Sequence, residues 1–275
     1  MNASERFTHS PASREWFSVD TGDQPGDFNM KYDVGLVEEF RITGVPVLRF
    51  YGWKPHCISL GRNQDLSDID LKLARADGID VVKRPTGGKA VLHADELTYS
   101  VVMEVNGLSV NDSYNMISTA LVEGVRTIGA RLGLSQSSAD FRKLFRDPTT
   151  IPCFSTSAVY EVEYLGRKVV GSAQHRFGDV LLQHGSILIG EAHKNIIRYL
   201  AVEDTVRAKS REDLDAHTAT LTEVLGRRAD RNETMEAVRR GFESVFGADF
   251  STSTGVRNTG MFETQSRKSK RTSGI

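Results

Sequence analysis

Cysteine is scarce in this chain, with two residues, Cys57 and Cys153, among 275. Two thiols are too few for a disulfide framework and show no metal-ligand spacing, so free thiols in a reducing compartment are expected and no metal site is. An excess of charge of one sign is lacking as well. The 35 basic residues stand against 36 acidic ones, a net charge of −1, and no global field points to nucleic acid or to a membrane surface. No apolar run approaches the ~20 residues of a membrane span. The polar opening Met1-Asn2-Ala3-Ser4-Glu5-Arg6 does not read as a signal peptide. No internal repeat is visible. These absences predict a soluble, cytoplasmic protein with no nucleic-acid or membrane partner. No spare apolar stripe stands out, which favours a monomer.

The length is enough for a full core. Residues 1–13 are polar and aperiodic and are expected to be loose, 14–250 to form one domain, and the basic 251–275 to be a disordered tail. Met30, Val34, Val37 and Phe40 recur at helical spacing, and Gly44-Val45-Pro46 stops that helix. Residues 47–53 and 57–60 read as strands, 68–77 as a helix closed by Gly78, and 81–84 and 90–93 as strands flanking a glycine pair. Residues 97–105 are β-rich. A helix is predicted from Asn111 or Asp112, with Ile117, Leu121, Val125, Ile128 and Leu132 as its stripe and Gly133 as its end. Three strands follow, at 159–164, 168–174 and 180–188, turning at Leu165-Gly166 and Phe177-Gly178-Asp179 as an antiparallel meander. Helical patterns return near 193–200 and 235–245. The mixture is α+β: a mixed, largely antiparallel sheet flanked by helices.

Three segments carry chemistry. Cys153, in Pro152-Cys153-Phe154-Ser155, precedes Lys168 by fifteen residues. A cation near a thiol favours the thiolate, the form that attacks an acyl carbon; a bare cysteine is otherwise a small apolar filler, which is the reading given to Cys57. In Arg84-Pro85-Thr86-Gly87-Gly88-Lys89-Ala90-Val91-Leu92-His93 the glycine pair lets backbone approach a ligand and offers N–H donors, while its plain alternative is a hairpin turn. The flanking Arg84 and Lys89 have no purpose in a simple turn. The third segment is Gln183-His184-Gly185-Ser186; a lone His on a strand is normally structural.

Together with Ile58-Ser59-Leu60-Gly61-Arg62-Asn63-Gln64, Glu96-Leu97-Thr98-Tyr99-Ser100 and Gly171-Ser172-Ala173-Gln174, these segments resemble the biotin/lipoate protein ligase superfamily over roughly residues 15–250. The resemblance implies that the glycine-rich segment lines an acyl pocket and that Lys168 reaches the carboxyl end of the acyl group. It makes Arg84, Thr86, Gly87, Gly88, Lys89, His93, Gly171, Ser172, Ala173, His184 and Gly185 the substrate-binding set. The cysteine fifteen residues before the lysine is similar to octanoyltransferases of the LipM type, whereas ATP-dependent lipoate ligases need no cysteine there and usually have a third glycine at the place of Lys89.

Such an enzyme takes octanoate from acyl carrier protein onto Cys153 and passes it to a lysine of a lipoyl domain, commonly the H protein of glycine cleavage. The thioester donor already holds the activation, so no cofactor is implied. A lipoyl-domain amidotransferase, an ATP-dependent lipoate or biotin-type ligase and a non-catalytic binding module are the alternatives. Backbone N–H groups near Gly87-Gly88 or Gly171-Ser172 are candidate oxyanion donors. An eight-carbon chain calls for an apolar slot, with Val91, Leu92 and positions of 97–105 as candidate lining. The run Phe141-Arg142-Lys143-Leu144-Phe145-Arg146 reads as a solvated loop face or as a docking patch for the acidic carrier.

Overall fold

The structure, a computed structural model, describes residues 14–105, 107–135 and 160–251. The runs 1–13, 136–159 and 252–275, and with them Cys153 and the basic run 141–146, lie outside the described residues. Strand β1 (Phe17–Gln24), which has no clear alternation, leads into helix α1 (Gly26–Thr43). Gly44, at φ 66°, ends that helix, its N–H donating to the Phe40 carbonyl. The buried face carries Met30, Asp33, Leu36, Val37 and Phe40. Met30, Val37 and Phe40 are buried as the spacing predicts, but Val34 stands on the shoulder, 36% exposed, and the polar Asp33 takes its place on the core face.

Strands β2 (Val47–Trp53) and β3 (Cys57–Leu60) are buried along their whole length. A short helix, α2 (Leu71–Ala76), starts later than expected because the Asp70 carboxylate caps it by accepting from the Leu73 N–H. Strands β4 (Asp80–Lys83), β5 (Val91–His93) and β6 (Glu96–Glu104) follow. Helix α3 (Val110–Arg126) begins with a capping box between Ser109 and Asp112. It stops six residues short of Leu132, yet Leu132 is buried in the same core and Ile128 packs against it. The apolar spacing outlasts the helix because the segment after Arg126 covers the same surface. Strands β7 (Gly133–Leu134), β8 (Val162–Tyr164), β9 (Arg167–Phe177) and β10 (Val180–Leu188) complete the sheets. A 3-10 segment (Glu191–Tyr199) precedes helices α4 (Asp204–His217), α5 (Leu221–Leu225) and α6 (Arg231–Phe246).

Seven strands form one sheet in the order β1-β2-β6-β10-β9-β8-β7, parallel between β1 and β2 and antiparallel elsewhere. The expected meander is its β8-β9-β10 part, and Leu165 and Gly166, both at positive φ, make its first turn. One face packs on α3 and α6 through a core containing Leu48, Phe50, Val101, Ile117, Leu121 and Phe242. The other face is partly roofed by α1 and by a second sheet, β4-β3-β5, which the sequence reading did not separate from the first. In that small sheet β3 is central, parallel to β4 and antiparallel to β5. The segment 84–90 therefore crosses over β3, and the hairpin alternative for Gly87-Gly88 falls away.

The crossover is held close. Arg62 N–H donates to the Thr86 carbonyl at 2.9 Å, and a Cβ at Gly61 would stand 1.9 Å from the Gly88 oxygen. Gly61→Ala must push the loop outward; an expected loss of about 1–3 kcal/mol would be read from the urea midpoint, with no change in the far helices by hydrogen exchange.

Candidate active site

Between the two sheets lies a narrow slot whose floor is set by register. Arg49, Ser100, His184 and Ala173 form one row across β2, β6, β10 and β9, and Tyr51, Thr98, Ser186 and Gly171 form the next. Met30 of α1, Ser59 of β3, Arg84, and Val91 and His93 of β5 close the roof. The open space is about 30 Å³, the share of one water, so a chain-like ligand enters by moving side chains; Met30, long and flexible, borders the slot. Leu92, expected as lining, packs instead into the core beneath the small sheet with Ile58 and Leu60, as strand alternation requires.

Two carboxylate–imidazole–hydroxyl arrays border this slot. In the first, Asp33 Oδ2 accepts from His184 Nδ1 at 3.0 Å, and His184 Nε2 accepts from the Thr86 hydroxyl at 2.7 Å. In the second, Glu96 Oε1 accepts from His93 Nδ1 at 2.8 Å, and His93 Nε2 is hydrogen-bonded to Ser59 Oγ at 2.7 Å. Arg84 also donates to that Ser59 oxygen.

Asp33 is the best-supplied acceptor of the site. Besides His184 it receives Arg49 at 2.7 Å, Ser100 at 2.8 Å and the Tyr51 hydroxyl at 3.0 Å. Burial pushes its carboxyl up, but the Arg49 charge and the bonds from His184 and Arg49 outweigh this and hold it below the usual 3.8. Burial lowers His184 below 6.5 despite the opposing carboxylate, which favours the neutral ring that the array requires.

Of the residues expected from sequence, Arg84, His93, Gly171, Ser172, Ala173, His184 and Gly185 line the slot. The Ser172 hydroxyl is engaged with Tyr99 Oη at 2.7 Å. Arg84 makes five hydrogen bonds, to the carbonyls of Ser59, Gly87 (twice) and Lys89 and to Ser59 Oγ; its guanidinium splints the crossover. Thr86, Gly87, Gly88 and Lys89 form that splinted loop and do not themselves line the slot. Lys168, on β9 three residues before Gly171, is not among the residues lining the slot; it is buried and ion-paired with Glu161 at 2.5 Å. A register shift between Val162↔Val170 and Glu163↔Lys168 re-aims this part of β9. Cys57 is core, among Met30, Tyr51 and Trp53, and burial pushes its thiol far up.

Sequence reasoning missed Asp33, Arg49, Tyr51, Trp53 and Glu161. Asn29 and Asp33, polar residues four apart within an apolar helical stripe, were the available signal for the first of these.

The chain matches the lipoyl protein ligase A/B catalytic domain over residues 25–243. It belongs to that family. Among curated relatives it is 38% identical over 237 residues to an octanoyltransferase LipM of Symbiobacterium thermophilum, covering 84% of this chain and 86% of that one. It is 33% identical to the octanoyltransferase LipM of Bacillus subtilis, covering 83% and 85%. Its fold is shared with a bi-partite lipoate protein ligase from Thermoplasma acidophilum, at a TM-score of 0.69 and 22% identity over 86% of this chain and 85% of that one.

Asp33→Ala leaves Arg49 buried without its carboxylate and is expected to cost about 3–5 kcal/mol in denaturant unfolding. The pH dependence follows from His184. Its folded pKa lies below the unfolded 6.5, so the unfolded chain takes up the proton first. Stability is full above that value and declines as pH falls through it. The melting midpoint should drop between pH 7.5 and 5.5, and drop less in His184→Asn; equal slopes would refute the assignment.

Proposed function

We propose that this chain is an octanoyltransferase of protein lipoylation, moving an octanoyl group from acyl carrier protein to a lysine of a lipoyl domain through a thioester on Cys153. The observation that carries the reading is the slot. It runs across the strands from Gly171 and Ala173, on the strand that also bears Lys168, to Tyr51 and Trp53 of β2, a shape suited to a linear chain. The octanoyltransferase relatives, similar along most of their length, support the same reading. Among the described residues no helix is long and apolar enough to cross a membrane.

In the first half-reaction the Cys153 thiolate attacks the donor thioester carbonyl. A carbon–sulfur bond to Cys153 forms, the one to the carrier breaks, and the carrier thiolate leaves and takes up a proton. In the second, a neutral lysine amine attacks the enzyme thioester; the amide forms, the bond to Cys153 breaks, and the sulfur departs with the amine's proton. An ordinary thiol, with a pKa near 8.5, is only a few per cent ionised at pH 7, so the proposed part for Lys168 is a nearby cation that raises this fraction. The Gly171 and Ser172 main chain borders the slot on the same strand and is the candidate oxyanion support.

The test is incubation with octanoyl carrier protein and apo lipoyl domain without nucleotide. Transfer is expected, with an octanoyl adduct on Cys153 by intact mass. Cys153→Ala should abolish both, a loss of at least 10³-fold on the scale of other covalent nucleophiles, whereas Cys57→Ala retains the adduct. A strict need for ATP would replace this reading with a ligase, and transfer only from an octanoylated lipoyl domain would replace it with the amidotransferase.

A further inference from the structure

At its β2 end the slot is closed by a plate of two rings. Trp53 and His93 are stacked, their centroids 4.0 Å apart and their planes 12° from parallel. Behind them lies a second, wider cavity of about 550 Å³, bordered by Asp23, His56, Asp95, Glu96, Arg228 and Arg231. Trp53 and His93 are the residues that line both spaces. The two stacked rings thus stand between the two spaces.

The plate is also fixed at its edges. Trp53 Nε1 donates to Thr98 Oγ1 at 2.7 Å, which in turn donates to Glu96 Oε1. His93 Nδ1 donates to that same carboxylate oxygen, and its Nε2 is held by Ser59. One carboxylate thus locks both rings through three hydrogen-bonded groups, so neither ring turns aside without breaking bonds in a buried network.

We propose that the stacked Trp53–His93 pair is the end-stop that sets the length of acyl chain this enzyme accepts, and that the cavity behind it is a latent extension of the slot. The inference rests on the acyl-transfer reading above and adds to it the selection of a medium, linear, saturated chain. With the acyl carbonyl near β9, three inter-strand steps, about 14 Å at the usual spacing, separate it from β2. Less the roughly 4 Å of contact between terminal methyl and ring, about 10 Å is left, the reach of an extended chain of about eight or nine carbons. Shorter chains leave methylenes unburied, at about fourfold in binding for each; longer ones meet the rings. The space beyond is partly polar, with Arg228 paired to Asp95 and Arg231 to Asp20, so a tail admitted there gains less than fourfold per methylene.

The experiment compares loading from carrier proteins bearing saturated acyl groups of 6, 8, 10, 12 and 14 carbons, read by intact mass. The wild type should peak at eight carbons and fall steeply beyond. In Trp53→Ala the ratio of 12-carbon to 8-carbon loading should rise at least tenfold, whatever the absolute rate, and in His93→Ala it should rise less. A ratio within twofold of wild type in both would overturn the end-stop. Should Trp53→Ala not fold or load, Trp53→Leu is used with equilibrium binding of free saturated fatty acids, which needs no catalysis. A new preference for 12 over 8 carbons sustains the proposal, and an unchanged order overturns it. A wild type that loads no acyl chain defeats the transferase reading, while the fatty-acid series still decides the end-stop.

Discussion

The carboxylate of Asp33 is the point on which this architecture turns. It is fully buried and receives hydrogen bonds from groups on three neighbouring strands: Arg49 and Tyr51 of β2, Ser100 of β6 and His184 of β10. A lone carboxylate there would be very costly to desolvate. Four donors, one of them the Arg49 guanidinium lying over the rings of Tyr32 and Tyr51, convert that cost into a fixed geometry. Because Asp33 belongs to α1, the same bonds lock the helix to the sheet. They also set the imidazole of His184, whose other nitrogen reaches Thr86 and so ties the glycine-bearing crossover to the main sheet.

The second constraint is the closure of a small sheet over a large one. Arg84 spends its donors on the crossover carbonyls of Gly87 and Lys89 and on the Ser59 carbonyl of β3, and Gly61 admits the Gly88 oxygen where any side chain would collide. The slot that results owes its shape to backbone held at contact distance. His184 and His93 are arranged alike, each with a carboxylate on Nδ1 and a hydroxyl on Nε2. At His184 burial outweighs the opposing carboxylate and favours the neutral ring.

Relatives that bear the octanoyltransferase name are similar along most of this chain, and a lipoate protein ligase shares its fold at 22% identity. Lys168, on the same strand as Gly171 and Ala173, is buried and ion-paired with Glu161.

Much of this was legible in the chain itself. Local signals with short-range causes read correctly: the α1 stop at Gly44, the strands 47–53 and 57–60, the Leu165-Gly166 turn and the β8-β9-β10 meander follow from glycine's freedom and from alternation. The ordered motifs also named most of the slot's lining, since His93, Gly171 and His184 lie within them. Tertiary structure alone decided the rest. Strand partners are chosen by long-range pairing, so nothing local could show that β3 separates β4 from β5 and makes the glycine pair a crossover. The register shift that re-aims the strand at Lys168 leaves no mark in composition. Asp33, Arg49 and Trp53 read as surface polar groups or plain core until their partners, distant in sequence, are brought alongside. Sequence determined which elements form and which chemistry is on offer; packing determined which side chains face one another, because burial and hydrogen bonding depend on neighbours that only the folded chain supplies.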